Sequence, residues 1–260
     1  MNLKRSAFTI PGLMLVSGSA YASGGIPHFI NYYEMITTKF GLDHHFMVVL
    51  SALLVIILLF LIGSIFSKSV NSKLEGGDLT PDGKFSLSLM VEVVMDFVYS
   101  LTKDQCGKEY KKYFGLLSSI FLFILVCNLT GLIPGFPPAT ESMSTNVAIG
   151  LVAFVVYNVS GFKEHGLGYI KQFMGPVIFI APLFFCIELF SHFSRPLSLG
   201  LRLTGNIFGD HLLLGVFTGL FPFVIPSVLM FFGLLVACVQ SFVFTLLTGI
   251  YISMAISHDH

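Results

Sequence analysis

Residues 46–66 read FMVVLSALLVIILLFLIGSIF, an apolar run without one charged side chain. A helix needs about 20 predominantly apolar residues to cross the hydrocarbon core of a bilayer. The run therefore predicts a membrane-spanning helix. The composition agrees, because 55% of the 260 residues are hydrophobic and only 11% are charged, whereas soluble domains carry about 25% charged residues.

Further apolar runs predict that the chain crosses the membrane several times. They lie at about residues 113–134, 146–162, 175–219 and 226–256. An unbroken helix over residues 175–219 would be roughly 67 Å long, about twice the thickness of the hydrocarbon core, so this segment either breaks or lies steeply tilted. We predict an all-α polytopic membrane protein with about five membrane-crossing helices plus an amphipathic surface helix. The last two helices are expected to be long and tilted as a hairpin.

The surface helix is predicted at residues 87–103, LSLMVEVVMDFVYSLTK. Its polar residues follow at spacings of 4, 3 and 4, which places them on one helical face; they are Glu92, Asp96, Tyr99 and Lys103. The other faces are apolar, as in helices that lie in the membrane interface. A soluble cytoplasmic helix is the alternative.

Lysines predict the orientation of the chain. The connection between the first two spans holds Lys68, Lys73, Lys84, Lys103, Lys108, Lys111 and Lys112, whereas the loop 135–145 contains no lysine or arginine. Because connections rich in lysine and arginine stay in the cytoplasm, the first helix runs from outside to inside. The N-terminus is then outside and the C-terminus cytoplasmic.

The N-terminal residues resemble a signal peptide. Lys4 and Arg5 precede a short apolar stretch, and an A-x-A-like site ends at Ala22. This order is typical of a cleaved secretory signal, so residues 1–22 are interpreted as one, with a retained tail as the alternative. Residues 23–45 would follow as an extracytoplasmic segment, and residues 46–260 as a single transmembrane domain.

Charges inside the membrane are concentrated near the stretch 194–211, SRPLSLGLRLTGNIFGDH. Between residues 172 and 257 the formally charged residues are Glu188, Arg195, Arg202 and Asp210, and His192, Asn206, His211 and Gln240 add polarity. Ionisable side chains in spanning segments are costly and by default mark an ion or substrate path.

The spacing of these charges predicts a stripe along one helix. Glu188, Arg195, Arg202 and Gly209 are seven residues apart, and Ser198 and Gly205 lie between them on the same face. Gly205 and Gly209 form a GxxxG pair, which lets another helix approach closely. A guanidinium keeps its proton even when buried. The stripe therefore suits a partner that carries a carboxylate within the membrane.

Simpler interpretations of these polar residues stay open. Arg195 could pair with Glu188 or extend to the membrane surface. Asp210 and His211 could form a local capping pair, and Gln240 could bond a neighbouring helix. Arg202 fits such an interpretation least, because its immediate neighbours are leucines in mid-segment.

The stretch SRPLSLGLRLTGN closely resembles the central motif of the subunit a family of rotary F-type ATP synthases. The stretches VEVVMDFVYSLTKDQCGKEYKKYFGLL, FLFILVCNLTGLIPGF and VQSFVFTLLTGIYISMA resemble the surface helix, second span and last helix of that family. The resemblance extends over residues 46–258 in the expected order and spacing.

The resemblance implies a stator ion-channel subunit in which two half-channels meet an essential arginine, which corresponds to Arg202. Asn206 and Gln240 correspond to its polar partners, and Glu188, Asp210 and His211 to positions that line the half-channels. Arg195, Ser198, Gly205 and Gly209 would complete the rotor-facing stripe. Protons are the expected coupling ion. In some family members a small residue replaces Asp210 and a histidine replaces Gly233, which we interpret as an exchange across a helix contact.

The implied partners are the c-ring rotor subunits, the peripheral-stalk b subunits and the lipid bilayer of a bacterial inner membrane. No cofactor, metal or nucleic acid is expected. The subunit itself is expected to be non-catalytic, because the chain has no GxxxxGK[ST] phosphate loop.

Three other functions are alternatives to this one. A secondary transporter could hold a small anion between Arg195 and Arg202. An intramembrane hydrolase would need a nucleophile–base pair or a metal, and no third ligand accompanies Glu188 and His192. A purely structural anchor leaves Arg202 unexplained.

Overall fold

The computed structural model describes residues 44–76, 87–133, 138–166, 168–169, 181–220 and 224–256, and within these residues it contains helices and no strand. The helices are α1 (His44–Gly76), α2 (Leu87–Cys106), α3 (Tyr110–Gly131), α4 (Met143–His165), α5 (Ala181–Leu220) and α6 (Val224–Ile256). Short 3₁₀ helices, Gly107–Glu109 and Ala139–Glu141, precede α3 and α4. The predicted all-α polytopic fold is confirmed.

Four stretches of the described chain are long and apolar enough to cross a membrane: Val48–Lys68, Ser88–Gly131, Met143–His165 and Val224–Ile256. The second of them joins the amphipathic helix α2 to α3. Helix α5, with 40 residues, is longer than any bilayer requires. Its polar side chains make it less apolar than these four stretches. With α5 included, α1, α3, α4, α5 and α6 correspond to the five predicted crossings.

Helix α5 distinguishes between the two alternatives for the long segment. It continues unbroken from Ala181 to Leu220 with Pro196 inside it. At 1.5 Å per residue this helix is roughly 60 Å long, so within a membrane it must be tilted. Residues 175–180, where the segment was expected to begin, lie outside the described residues. The signal peptide at 1–22 and nearly all of the segment 23–45 also lie outside them and stay predictions.

Leucine and isoleucine side chains fix the rotation of α5. Leu199, Leu203 and Ile207 are buried together with Ile124 of α3 and Phe244 of α6. Because residues four apart lie on one face of a helix, this packing turns the opposite face of α5 outward. That outward face contains Arg202.

Helices α4 and α5 approach each other closely through glycines. A Cβ atom built on Gly150 would lie 2.7 Å from the carbonyl oxygen of Pro196, and one on Gly200 would lie 3.1 Å from the backbone nitrogen of Val147. Small residues at such contacts are typical of membrane helix pairs. The close contact makes α4 a rigid support behind the outward face of α5.

We expect Gly150→Ala to destabilise the chain by about 1–3 kcal/mol, because the added methyl group forces α4 away from a backbone atom. Gly115→Ala in α3 is the matched control, since a Cβ atom there meets nothing within 4 Å. The midpoint of thermal unfolding in detergent measures the difference. Equal midpoints for the two variants would contradict this view of the α4–α5 contact.

Candidate functional site on helices α5 and α6

The predicted stripe on α5 is open along the turns that surround Arg202. Ser198, Arg202 and Gly205 are exposed, and Cβ atoms built on Gly205 and Gly209 would meet nothing within 4 Å. Among the described residues, no helix occupies the GxxxG pair. The stripe is therefore accessible to a partner helix.

Arg202 has no hydrogen-bond or ion-pair partner among the described residues. Its neighbours Leu201 and Leu203 are exposed and buried, respectively, and the guanidinium is on the exposed side. A permanent cation in the middle of a membrane-spanning helix is costly without a counter-charge. The arrangement therefore suits an anionic group supplied from outside this part of the chain.

Arg195 is arranged differently from Arg202, although the two share the seven-residue spacing. Its Nη2 atom lies 3.3 Å from Oε1 of Glu188, and the side chain is only 18% exposed. The guanidinium also lies over the ring of Tyr251, 5.1 Å from the centroid. Of the two alternatives for Arg195, the structure shows the pair with Glu188, and the contact with Tyr251 turns this charge toward α6.

A hydrogen bond joins α5 to α6 one turn beyond Arg202. The Asn206 amide Nδ2 donates to Oε1 of Gln240 at 2.8 Å, and Gln240 is buried. Gln240 thus bonds a neighbouring helix, as one interpretation expected. Its partner is another of the predicted site residues.

A small cavity, named the polar cavity for the five polar side chains in its mostly apolar lining, lies beside this hydrogen bond. Its volume is about 40 Å³, and its lining includes Asn128, Asn206, Asp210, His211, Gly233 and Gln240. A cavity of this size with several polar partners can hold water. Asp210 and Gly233 line the same cavity, which is the geometry expected if a polar group has been exchanged between the two helices.

Glu141 is a neighbour of His211 that was not predicted from the sequence. Its Oε1 atom lies 3.9 Å from Nδ1 of His211, and it belongs to the 3₁₀ helix before α4. One feature of the sequence could have indicated this residue: Glu141 is the single charged residue of the loop 135–145.

A buried polar network behind Arg202 was also missed. Asn146 is fully buried, and its Nδ2 donates to the Thr140 carbonyl at 2.6 Å and to Thr204 Oγ1 at 2.8 Å. The Thr140 hydroxyl donates to Asn128 Oδ1 at 3.1 Å. The network links α3, α4 and α5 and fixes the turn of α5 that carries Arg202.

His192 contacts α4. It is buried, and its Nε2 atom lies 2.9 Å from Oδ1 of Asn158 on α4. Throughout the described part of the chain, no three His, Cys, Asp or Glu side chains are grouped so that they could hold a metal ion.

The helical bundle and the ionisable groups of α5 define the general class of the protein: it is a polytopic helical membrane protein with charges in its spanning part. Comparison with known families is more specific. The family described as ATP synthase A chain matches residues 30–253. The chain belongs to this family, which confirms the resemblance found in its motifs.

Curated relatives agree with the family assignment. ATP synthase subunit a of Bdellovibrio bacteriovorus is 48% identical over 181 residues, covering 69% of this chain and 79% of that protein. ATP synthase subunit a of Geotalea daltonii is 38% identical over 236 residues, covering 89% of this chain and 97% of that protein.

Proposed function

We propose that the chain is the stator proton-channel subunit of an F-type ATP synthase. Family membership supports the general role. The observation that supports the mechanism is Arg202, an exposed guanidinium without a partner among the described residues, on a stripe whose glycines Gly205 and Gly209 leave room for another helix. The chain is non-catalytic in this proposal, and nucleotide chemistry belongs to other subunits.

The partner of Arg202 is a carboxylate carried within the membrane by a ring of rotor subunits. At low dielectric, Coulomb attraction between unlike charges is strong, and a nearby cation favours the ionised form of a carboxyl group. Arg202 therefore forces the proton off each carboxylate before it passes. Because arginine keeps its own proton, it also prevents protons from crossing directly between the half-channels.

The two half-channels lie on opposite sides of Arg202 along α5. Asp210, His211, Asn206 and Gln240 line the outer one, which contains the polar cavity. Glu188 lies on the inner side, roughly 21 Å before Arg202 along the helix, with its side chain partly exposed. Moving one proton through 100 mV releases about 2.3 kcal/mol, so several protons must pass for each nucleotide formed.

The surrounding assembly follows from this role. The c-ring contacts the stripe Ser198, Gly205 and Gly209, and peripheral-stalk b subunits hold the chain against rotation. The chain lies in the cell inner membrane with its N-terminus outside and its C-terminus cytoplasmic, in agreement with the positions of its lysines.

The alternative function, a secondary transporter for a small anion, needs Arg195 and Arg202 to converge on one substrate. The Arg195 guanidinium instead pairs with Glu188 and packs on Tyr251. This arrangement favours the stator function.

Reconstitution into liposomes discriminates between the two functions. We expect the purified chain alone to conduct neither protons nor small anions, and the complete membrane sector to conduct protons under an imposed potential, because protons reach the far side only on the rotor. Proton flux is followed with a pH-sensitive dye, and chloride and phosphate flux with the loaded ions. Anion exchange by the chain alone would support the transporter instead.

A further inference from the structure

The contact between Glu141 and His211 bridges a loop and a spanning helix. Glu141 Oε1 lies 3.9 Å from His211 Nδ1, and the side chains are 42% and 37% exposed, respectively. Glu141 thus reaches the surface of the chain. His211 lines the polar cavity together with Asp210. The pair connects the surface to the cavity.

The position opposite α5 on the last helix offers no ionisable group here. Gly233 lines the cavity on the α6 side, and a Cβ atom built on it would lie 2.8 Å from Leu132 Cδ2. A larger side chain would therefore have to displace a neighbour. The carboxylate that reaches the imidazole of His211 comes from the loop before α4 instead.

We propose that Glu141 and His211 form a two-residue proton relay at the mouth of the outer half-channel. The inference rests on the proposed function and names the group that first accepts the proton. The Glu141 carboxyl group takes a proton from outside water and passes it through one bridging water to Nδ1 of His211, because the two atoms lie 3.9 Å apart and a relay acts within hydrogen-bond reach or via one water. The imidazolium then releases the proton from Nε2 to water in the cavity, and exchange of the remaining Nδ1 proton to Nε2 through water restores the tautomer that accepts the next proton.

The geometry separates this role from a structural one. At 3.9 Å the two atoms are beyond hydrogen-bond distance, and half-exposed ion pairs contribute little to stability. Removing the carboxylate should therefore leave the fold intact. The packing of this loop is held instead by Thr140 and Asn146, whose hydrogen bonds do not involve Glu141.

The test compares Glu141→Gln with Glu164→Gln. Glu164 is an exposed carboxylate at the other end of α4, so the control makes the same chemical change away from the cavity. The readout is passive proton conductance of inverted membrane vesicles after removal of the catalytic sector, divided by the amount of assembled chain. We expect Glu141→Gln to lower conductance about tenfold, less than the loss of a buried acid–base group because water can partly replace the relay. Glu164→Gln should conduct like the wild type.

Two further variants exclude a folding artefact. Glu141→Asp keeps the carboxylate and should restore much of the conductance. The double variant with Glu141→His and His211→Glu keeps both groups in contact. Its conductance per assembled chain should exceed that of either single variant, even if less chain is assembled. Wild-type conductance in Glu141→Gln, or a double variant no better than the single ones, would overturn the relay.

The proposed function is tested separately by ATP-driven proton pumping of Arg202→Ala in inverted vesicles that keep the catalytic sector. If that variant loses pumping while Glu141→Gln conducts normally, the stator function stands and the relay is wrong. If Arg202→Ala pumps normally, the stator function itself is wrong.

Discussion

Arg202→Ala is expected to reduce ATP-driven proton pumping to less than about one-hundredth of the wild-type rate, the range seen when one preorganised electrostatic group is removed. Without the guanidinium, nothing on the exposed face of α5 favours the ionised form of a passing rotor carboxylate. The carboxylate keeps its proton, and the rotor cannot complete the exchange between half-channels. Quenching of a pH-sensitive dye in inverted membrane vesicles measures the rate.

Arg195→Ala is the matched control, because it removes the same side chain seven residues earlier on the same helix. Arg195 already pairs with Glu188 and contacts Tyr251, so its loss should spare much of the pumping. Passive leak recorded in the same vesicles adds a second readout. A raised leak in Arg202→Ala would mean that the guanidinium separates the half-channels. Normal pumping in Arg202→Ala would refute the mechanism.

The difference between the two arginines could not have been predicted from spacing alone. The sequence places both on one stripe, and the structure leaves Arg202 exposed while Arg195 contacts α6. The cause lies in residues distant in sequence, since the aromatic ring of Tyr251 accepts the Arg195 guanidinium. The spacing of residues predicts on which face of a helix a side chain lies. It does not predict which residues of a neighbouring helix that side chain contacts.

Other features of the fold and the site were also predicted only where they depend on local sequence and not on distant contacts. The apolar runs predicted α3, α4 and α6 to within three residues, because bilayer thickness dictates both length and composition. Helix α1 begins where predicted but continues to Gly76, ten residues beyond the predicted end. Whether α5 breaks at Pro196 stayed open, since proline disrupts a single hydrogen-bonded turn and neighbouring helices can support it. Asn146 and Glu141 were not predicted as site residues because polar residues are common in loops and at the starts of helices. Their role depends on the residues that they contact, which only the structure shows.

Gly205→Leu is expected to lower proton pumping at least about tenfold while leaving the chain itself folded. A Cβ atom on Gly205 meets nothing within 4 Å, and leucine has a higher helix propensity than glycine by nearly 1 kcal/mol. The substitution should therefore stabilise α5 slightly. Its side chain, however, projects from the stripe one turn beyond Arg202 and occupies the space that a rotor helix needs for close approach. Pumping in inverted vesicles and the thermal unfolding midpoint are both measured.

Gly115→Leu on α3 provides the control, because it makes the same change at another exposed helical glycine with open space around it. We expect it to pump at the wild-type rate. Loss of function without loss of stability at Gly205 alone would mean that the open face of α5 is a contact surface for a moving partner. If both leucine variants pump normally, no helix approaches the stripe closely, and the carboxylate that Arg202 serves must reach it from a different direction.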